Sequence, residues 1–150
     1  MADHSLGGGG RTALAALIDH TILKADATRA EIARHCDEAR RYGFRSVCVN
    51  SVHVPQVAHA LEGSDVRCCA VVGFPLGAML GDAKVAEARA AVAAGATEID
   101  MVIDIGALKD ARLADVETDI AAVRAACAGR VLKVIIETCL LDETQKRAAC

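Results

Sequence analysis

The stretch "EIDMVID", Glu98 to Asp104, decides the fold. Ile99, Met101, Val102 and Ile103 are what a covered strand wants, and Asp100 in their midst is not. Successive strand residues point to opposite faces. Glu98, Asp100 and Val102 therefore share one face, and Ile99, Met101 and Ile103 share the other. "SVCVN" (Ser46–Asn50) divides the same way, Ser46, Cys48 and Asn50 opposing Val47 and Val49. In "VLKVIIE" (Val131–Glu137), Lys133, Ile135 and Glu137 oppose Leu132, Val134 and Ile136. Each strand has one aliphatic face and one mixed face. An open doubly wound sheet carries helices on both faces, so both would read apolar. In a barrel, helices cover the outside, and the interior can turn polar toward the strand C-terminal mouth where active sites sit. The mixed face predicts a barrel lumen, with Asp100 pointing into it.

Working outward, "ALIDHTIL" and "VRCCAVVG" are two further strand candidates. Helical stretches with readable ends lie between the five. Thr28 with Glu31 three residues on is a capping box, Ile32, Cys36 and Ala39 form the stripe behind it, and Gly43 supplies the left-handed residue at its end. The next helix begins near Ser51, has Pro55 in its first turns and stops at Gly63. A third spans about Asp82 to Ala94 before Gly95. A fourth carries Val116, Ile120, Val123 and Cys127 and stops at Gly129. The last opens at Asp142 with a box-like Gln145. Strand then helix, five times over, is an α/β pattern with a parallel sheet. Cys48 follows Gly43, and Asp100 follows Gly95, by the same five residues, which predicts comparable heights on their strands.

The 150-residue chain is long enough for one domain with a sizeable core. We expect residues 1–10, "MADHSLGGGG", to be a disordered leader and 11–150 to be the domain. A net charge of −3 without a basic run speaks against a nucleic-acid partner. No apolar run approaches the roughly 18 residues of a membrane span, and no signal region opens the chain, so a cytoplasmic location is expected. The seven cysteines include no C-x-x-C and fall mostly in apolar segments, which reads as reduced core thiols. Clustered Cys/His spacing for zinc is missing, and His53 and His59 read as surface residues. No metal is expected.

A carboxylate inside a lumen needs a cationic or hydrogen-bonding partner. Lys133, on the mixed face of the next strand, is the nearby candidate. The pair would be purely structural, or it would do chemistry. A desolvated lysine can attack a carbonyl while an acid moves the protons, or the two can shuttle protons without an imine. Spacing does not choose between these. "GFPLG" (Gly73–Gly77) fits a loop at the mouth, where two glycines would allow close approach to a ligand or simply make a tight turn. Gly-rich nucleotide motifs and a G-x-S-x-G elbow are lacking.

Taken together, "LIDHTILKADAT", "GFRSVCVN", "VVGFPLG", "KVAEARAAVAAGATEIDMVIDIGALK" and "LKVIIETCLL" resemble the deoC-type class I aldolases, the deoxyribose-phosphate aldolase family. The resemblance runs from about Leu17 to the C-terminus in the family's order and spacing. It implies a (β/α)8 TIM barrel, here about five βα units. The implied activity is reversible cleavage of 2-deoxy-D-ribose 5-phosphate to glyceraldehyde 3-phosphate and acetaldehyde, through a lysine imine and without cofactor or metal. Asp100 takes the place of the family's fourth-strand proton donor and acceptor. By position, Asp19, Thr21, Cys48 and Lys133 become substrate-pocket candidates.

The same resemblance places the imine lysine on a sixth strand, in a "K-T-S-T-G" segment that this sequence lacks. The seventh-strand lysine and the last glycine-rich phosphate loops are lacking as well. None of Lys24, Lys84, Lys109, Lys133 and Lys146 matches a catalytic lysine of the family. Besides sugar phosphate and aldehyde substrates, the expected partners are a homo-oligomer or a complementing C-terminal half. The alternatives are an inactive or partner-dependent half-barrel and a self-contained domain using Asp100 and Lys133 for a different proton transfer.

Overall fold

The structure is a computed structural model that describes residues 13–150. The expected leader, 1–10, lies outside the described residues. Five parallel strands form one sheet: β1 (Asp19–Ile22), β2 (Ser46–Val49), β3 (Arg67–Val72), β4 (Glu98–Val102) and β5 (Val131–Ile135). Their order in the sheet is their order in the chain. A doubly wound sheet reverses its strand order at a switch point. Here nothing reverses, and successive strands step round in one direction as a barrel requires.

The helices are α1 (Arg29–Tyr42), α2 (Val54–Ala60), α3 (Gly81–Ala93), α4 (Ile105–Lys109), α5 (Leu113–Ala126) and α6 (Glu143–Ala149). The α1 capping box forms as expected: Glu31 N donates to Thr28 Oγ1, and Thr28 N donates to Glu31 Oε2. Gly43 closes α1 at φ +69, a left-handed conformation in which a side chain would be strained. Asp142 and Gln145 make the second box, at α6.

The larger core lies on one side of the sheet. Val47, Val49, Cys68, Ala70, Val72, Ile99 and Met101 point into it from the strands. Ile32, Cys36 and Ala39 of α1, Val54 and Val57 of α2, Ala88 and Ala91 of α3, and Val123 of α5 meet them. Full burial of side chains such as Ile99 or Met101 contributes about 1.5–3 kcal/mol each. The alternate strand residues face the opposite side, which carries the polar groups. Strand parity thus separates a helix-covered face from a lumen face, as "EIDMVID" predicted.

All five strands are shorter than the stretches that predicted them, and at β1 and β4 the cause is visible. β1 starts at Asp19 rather than Ala16, because residues 16–17 form a turn that leaves Leu17 79% exposed. β4 ends at Val102, and Asp104 caps a helix instead, accepting from Ala107 N at 2.9 Å. That helix, α4, was not among the expected elements; five residues are too few to show a periodic stripe. Two helices therefore follow β4 where one was expected.

Candidate functional site

Lys133 sits at the centre of the lumen face. Its Nζ donates to Asp19 Oδ2 at 2.8 Å and to Glu98 Oε2 at 3.3 Å. It also forms an ion pair with Asp100 Oδ1 at 3.2 Å, and Cys69 Sγ lies 3.9 Å away. Strand register explains the convergence. Lys133 pairs directly with Asp100 across β4 and β5, and Glu98 is the next residue along on the same face. Asp19 comes from β1, across the curved face of the sheet. Ser46 Oγ fixes its other oxygen at 2.6 Å. Glu98, with its side chain 2% exposed, also accepts from Arg45 Nη2 at 2.9 Å and pairs with Arg67 Nε at 3.3 Å.

Three carboxylates around one ammonium leave unequal environments. Burial pushes the Asp100 carboxyl above its ordinary range, and Lys133 and Cys69 only partly oppose it. Its Oδ1 is buried without a hydrogen bond of good geometry, the ammonium contact being ionic only. Asp19 goes the other way: burial raises it, but the bonds from Lys133 and Ser46 outweigh this and hold it below the usual carboxylate range. Burial would lower Lys133, yet its bond to Asp19 and the charge of Asp100 raise it above the ordinary lysine value. The ammonium is stabilised as a cation. It lacks the depressed pKa that makes a lysine an imine nucleophile.

Of the residues singled out from sequence, Asp19, Asp100 and Lys133 come together. Cys48 joins them from the side: its sulfur, Cys69 Sγ and an Asp100 oxygen lie within 4.8 Å of one another. By register Cys48 aligns through Cys69 with Glu98 rather than with Asp100, and the stagger of the sheet closes that gap. Thr21 stands apart, exposed on β1, its hydroxyl donating to Asp19 O at 2.9 Å. "GFPLG" follows β3, and its close approach is to the protein itself: a Cβ on Gly77 (φ +65) would lie 1.9 Å from Ile103 O. Gly73 N–H donates to Glu87 Oε2 at 2.9 Å, whose other oxygen accepts from Ser51. His59 is a surface residue and His53 is half-buried.

Sequence reasoning placed Glu98 on the lumen face but gave it no role. Arg45 and Arg67, which neutralise it, precede β2 and open β3, and strand parity gave neither a role. Cys69 was legible by the same parity as Cys48. Lys84 was missed altogether. It is 1% exposed, and its Nζ donates to Asp119 Oδ2 at 2.6 Å between α3 and α5. Among the described residues no helix is long and apolar enough to cross a membrane.

A sequential parallel sheet, covered by helices outside and lined by lysine and carboxylates within, is the N-terminal architecture of a (β/α)-barrel enzyme. Known proteins make the class specific. The sequence matches the DeoC/LacD family aldolase model over residues 13–149, and the chain belongs to that family. It is 58% identical over 133 residues to a deoxyribose-phosphate aldolase of Finegoldia magna, covering 89% of this chain and 62% of that protein. A Coccidioides immitis structure, provisionally described as a deoxyribose-phosphate aldolase, superposes with TM-score 0.91 at 41% identity. That alignment covers 93% of this chain and 55% of the other. A tetrameric deoxyribose phosphate aldolase from Aeropyrum pernix gives TM-score 0.80 at 31% identity, over 93% of this chain and 58% of that one. The chain thus spans a little over half the length of these relatives.

Proposed function

We propose that this chain supplies the proton-relay half of a 2-deoxy-D-ribose 5-phosphate aldolase. The reaction is reversible cleavage to glyceraldehyde 3-phosphate and acetaldehyde through a lysine imine. Asp100 is the proton donor and acceptor. The observation that carries this reading is its setting: a carboxyl on the lumen face, pushed upward by burial and beside a fixed ammonium. Such a group holds a proton more readily than an ordinary carboxyl and can pass it on, which general acid–base catalysis needs. Asp19, Thr21, Cys48 and Lys133 are assigned to the substrate pocket. Lys133 acts there as a permanent cation that keeps Asp19 ionised and orients Asp100.

The imine nucleophile is assigned to none of the five lysines. Lys133 is held as a cation by three carboxylates, and Lys84 is committed to Asp119 between helices. Lys24 and Lys109 are exposed, and Lys146 pairs with Glu143. In the family that lysine belongs to a later strand. Joining this chain to the part of the Finegoldia magna relative that it does not cover tests the assignment. The chimera is expected to cleave deoxyribose 5-phosphate, and Asp100→Asn is expected to lower kcat by about 10²–10⁴. A folded chimera with unchanged turnover after Asp100→Asn overturns the role. So does borohydride trapping of acetaldehyde on Lys133.

A second reading keeps the chain partner-dependent. Every residue of β5 is half-buried, whereas every residue of β2 is buried. Among the described residues β1 and β5 each pair on one side only. Closure of a barrel requires further strands between them, from the same polypeptide or from a complementing half. A homo-oligomer, as in the tetrameric relative, and a cytoplasmic location alongside phosphorylated sugars complete the proposal.

A further inference from the structure

We propose that Cys48, Cys69 and Asp100 form a binding site for one thiophilic divalent cation of the zinc or cadmium class. The three residues come from β2, β3 and β4 and are far apart in sequence, so no ligand-spacing motif announces them. Their ligand atoms nevertheless lie within 4.8 Å of one another. A tetrahedral zinc with bonds of about 2.0–2.3 Å sets its ligands roughly 3.5–3.8 Å apart. A contraction of about 1 Å therefore completes the set. The two thiols are neighbours in parallel register, Cys48 opposite Cys69, and both are buried. Val71 and Leu23 pack around them, an apolar setting in which the soft thiolate ligands favour zinc or cadmium over hard, hydrated ions.

Charge supports the same occupant. Asp100 Oδ1 is a buried acceptor without a hydrogen-bond partner. Two thiolates and one carboxylate around a divalent cation sum to −1. Lys133, 3.9 Å from Cys69 Sγ and 3.2 Å from Asp100 Oδ1, supplies the compensating +1. It is already anchored by Asp19 and Glu98, so it can yield Asp100 to the metal without losing its own partners. Binding replaces two S–H bonds by two metal–sulfur bonds and releases two protons to solvent, with no change of oxidation state. A fourth position remains for water. Occupancy would take Asp100 away from proton transfer; that inhibitory consequence rests on the proposed aldolase reading, whereas binding itself does not.

His20, His35 and Glu38 also lie close enough to share an ion. There the two rings are stacked at 4.5 Å with only 23° between their planes. Their lone pairs run side by side instead of converging, and His20 Nε2 is already bonded to Glu38 Oε2 at 2.8 Å. This cluster serves as the internal control, because a cation bound there gives no thiolate signal.

The test is a cadmium titration of the reduced full chain carrying Cys139→Ser and Cys150→Ser, which removes the two exposed thiols. The expected result is an ultraviolet thiolate-to-cadmium charge-transfer band that saturates at one equivalent, with two protons released. Cys69→Ser should abolish most of the band, and Asp100→Asn should weaken binding by about tenfold or more. If Cys69→Ser does not fold, alkylation followed by mass spectrometry on the otherwise unsubstituted chain decides. Cadmium should slow modification of Cys48 and Cys69 and leave Cys36, Cys68 and Cys127 unchanged. Absence of the band at one equivalent overturns the site. A band that persists in folded Cys69→Ser protein, or protection spread evenly over all the buried thiols, overturns it equally.

Discussion

Lys84 and Lys133 are both drawn into the fold, and their surroundings differ in a way that separates scaffold from site. Lys84 lies in the helical layer, 1% exposed, with one carboxylate partner, and its stem packs over Gly73. Lys133 lies on the lumen face, 38% exposed, among Asp19, Glu98 and Asp100. A one-to-one buried pair balances its own charge and has nothing left to exchange. A lysine shared by three carboxylates leaves one of them poorly served, and that one is Asp100. The difference teaches where proton chemistry can arise: in the group whose charge the local cations do not fully meet.

The sharpest way to break this contrast is Lys84→Met. It strands Asp119, whose Oδ1 already lacks a partner, as an uncompensated charge between α3 and α5. Breaking a buried pair from one side typically costs about 3–5 kcal/mol, whereas replacing both members by apolar groups is often neutral. Urea unfolding should show a large fall in midpoint for Lys84→Met at unchanged slope, and recovery in Lys84→Met/Asp119→Leu. A loss below about 1 kcal/mol would mean that the helical pair is no scaffold element. Glu98→Gln comes next. It removes the charge that Arg45, Arg67 and Lys133 share, but the two arginines can turn toward water. We expect a loss of about 2 kcal/mol by the same measurement.

Asp100→Asn should act in the opposite direction. Because the folded-state pKa of Asp100 is raised, its protonated form is the one the fold favours. The native protein is fully credited with that preference below the ordinary carboxylate value near 3.8 and loses it as pH rises through the raised value. Asparagine does not titrate, so the variant should be more stable than the parent at neutral pH, on the order of 1 kcal/mol, while its aldolase chimera is impaired. Thermal melts across pH should converge at the acid end. Asp19, lowered in the fold, has the reverse sign: its contribution is present above the ordinary value and fades as pH falls.

How much of this was legible in the sequence follows from distance along the chain. Asp100 and Lys133 were readable because period-two alternation is local, and both sit mid-strand among aliphatics. The caps at Thr28 and Asp142 were readable because each is complete within four residues. Asp19 and Thr21 came forward only through family likeness, since what marks Asp19 is its bond from Lys133, 114 residues away in the chain. Glu98 was placed on the correct face, but its meaning depends on Arg45 and Arg67, which reach it only after three strands pair. Lys84 looked like any charged residue on a helix. Its burial is set by Asp119, 35 residues on, and by the packing of α3 against α5. Local rules carried the strands and caps; long-range charge pairing had to be seen.

The smallest expected effect probes the same contrast through solvent. The Lys133–Asp19 pair has side chains 38% and 31% exposed, so counterions reach it; the Lys84–Asp119 pair, at 1% and 12%, is sheltered. Raising ionic strength from about 0.1 M to 1 M shortens the screening length from roughly 10 Å to 3 Å. The destabilisation caused by Lys133→Met should therefore shrink by about 0.5 kcal/mol across that range, the scale of an exposed pair. The cost of Lys84→Met should not move. Equal salt dependence of the two variants would show that water reaches both lysines alike. The lumen lysine would then owe its raised pKa to fixed hydrogen bonds alone, and the division between a sealed scaffold pair and a solvent-coupled site pair would fall.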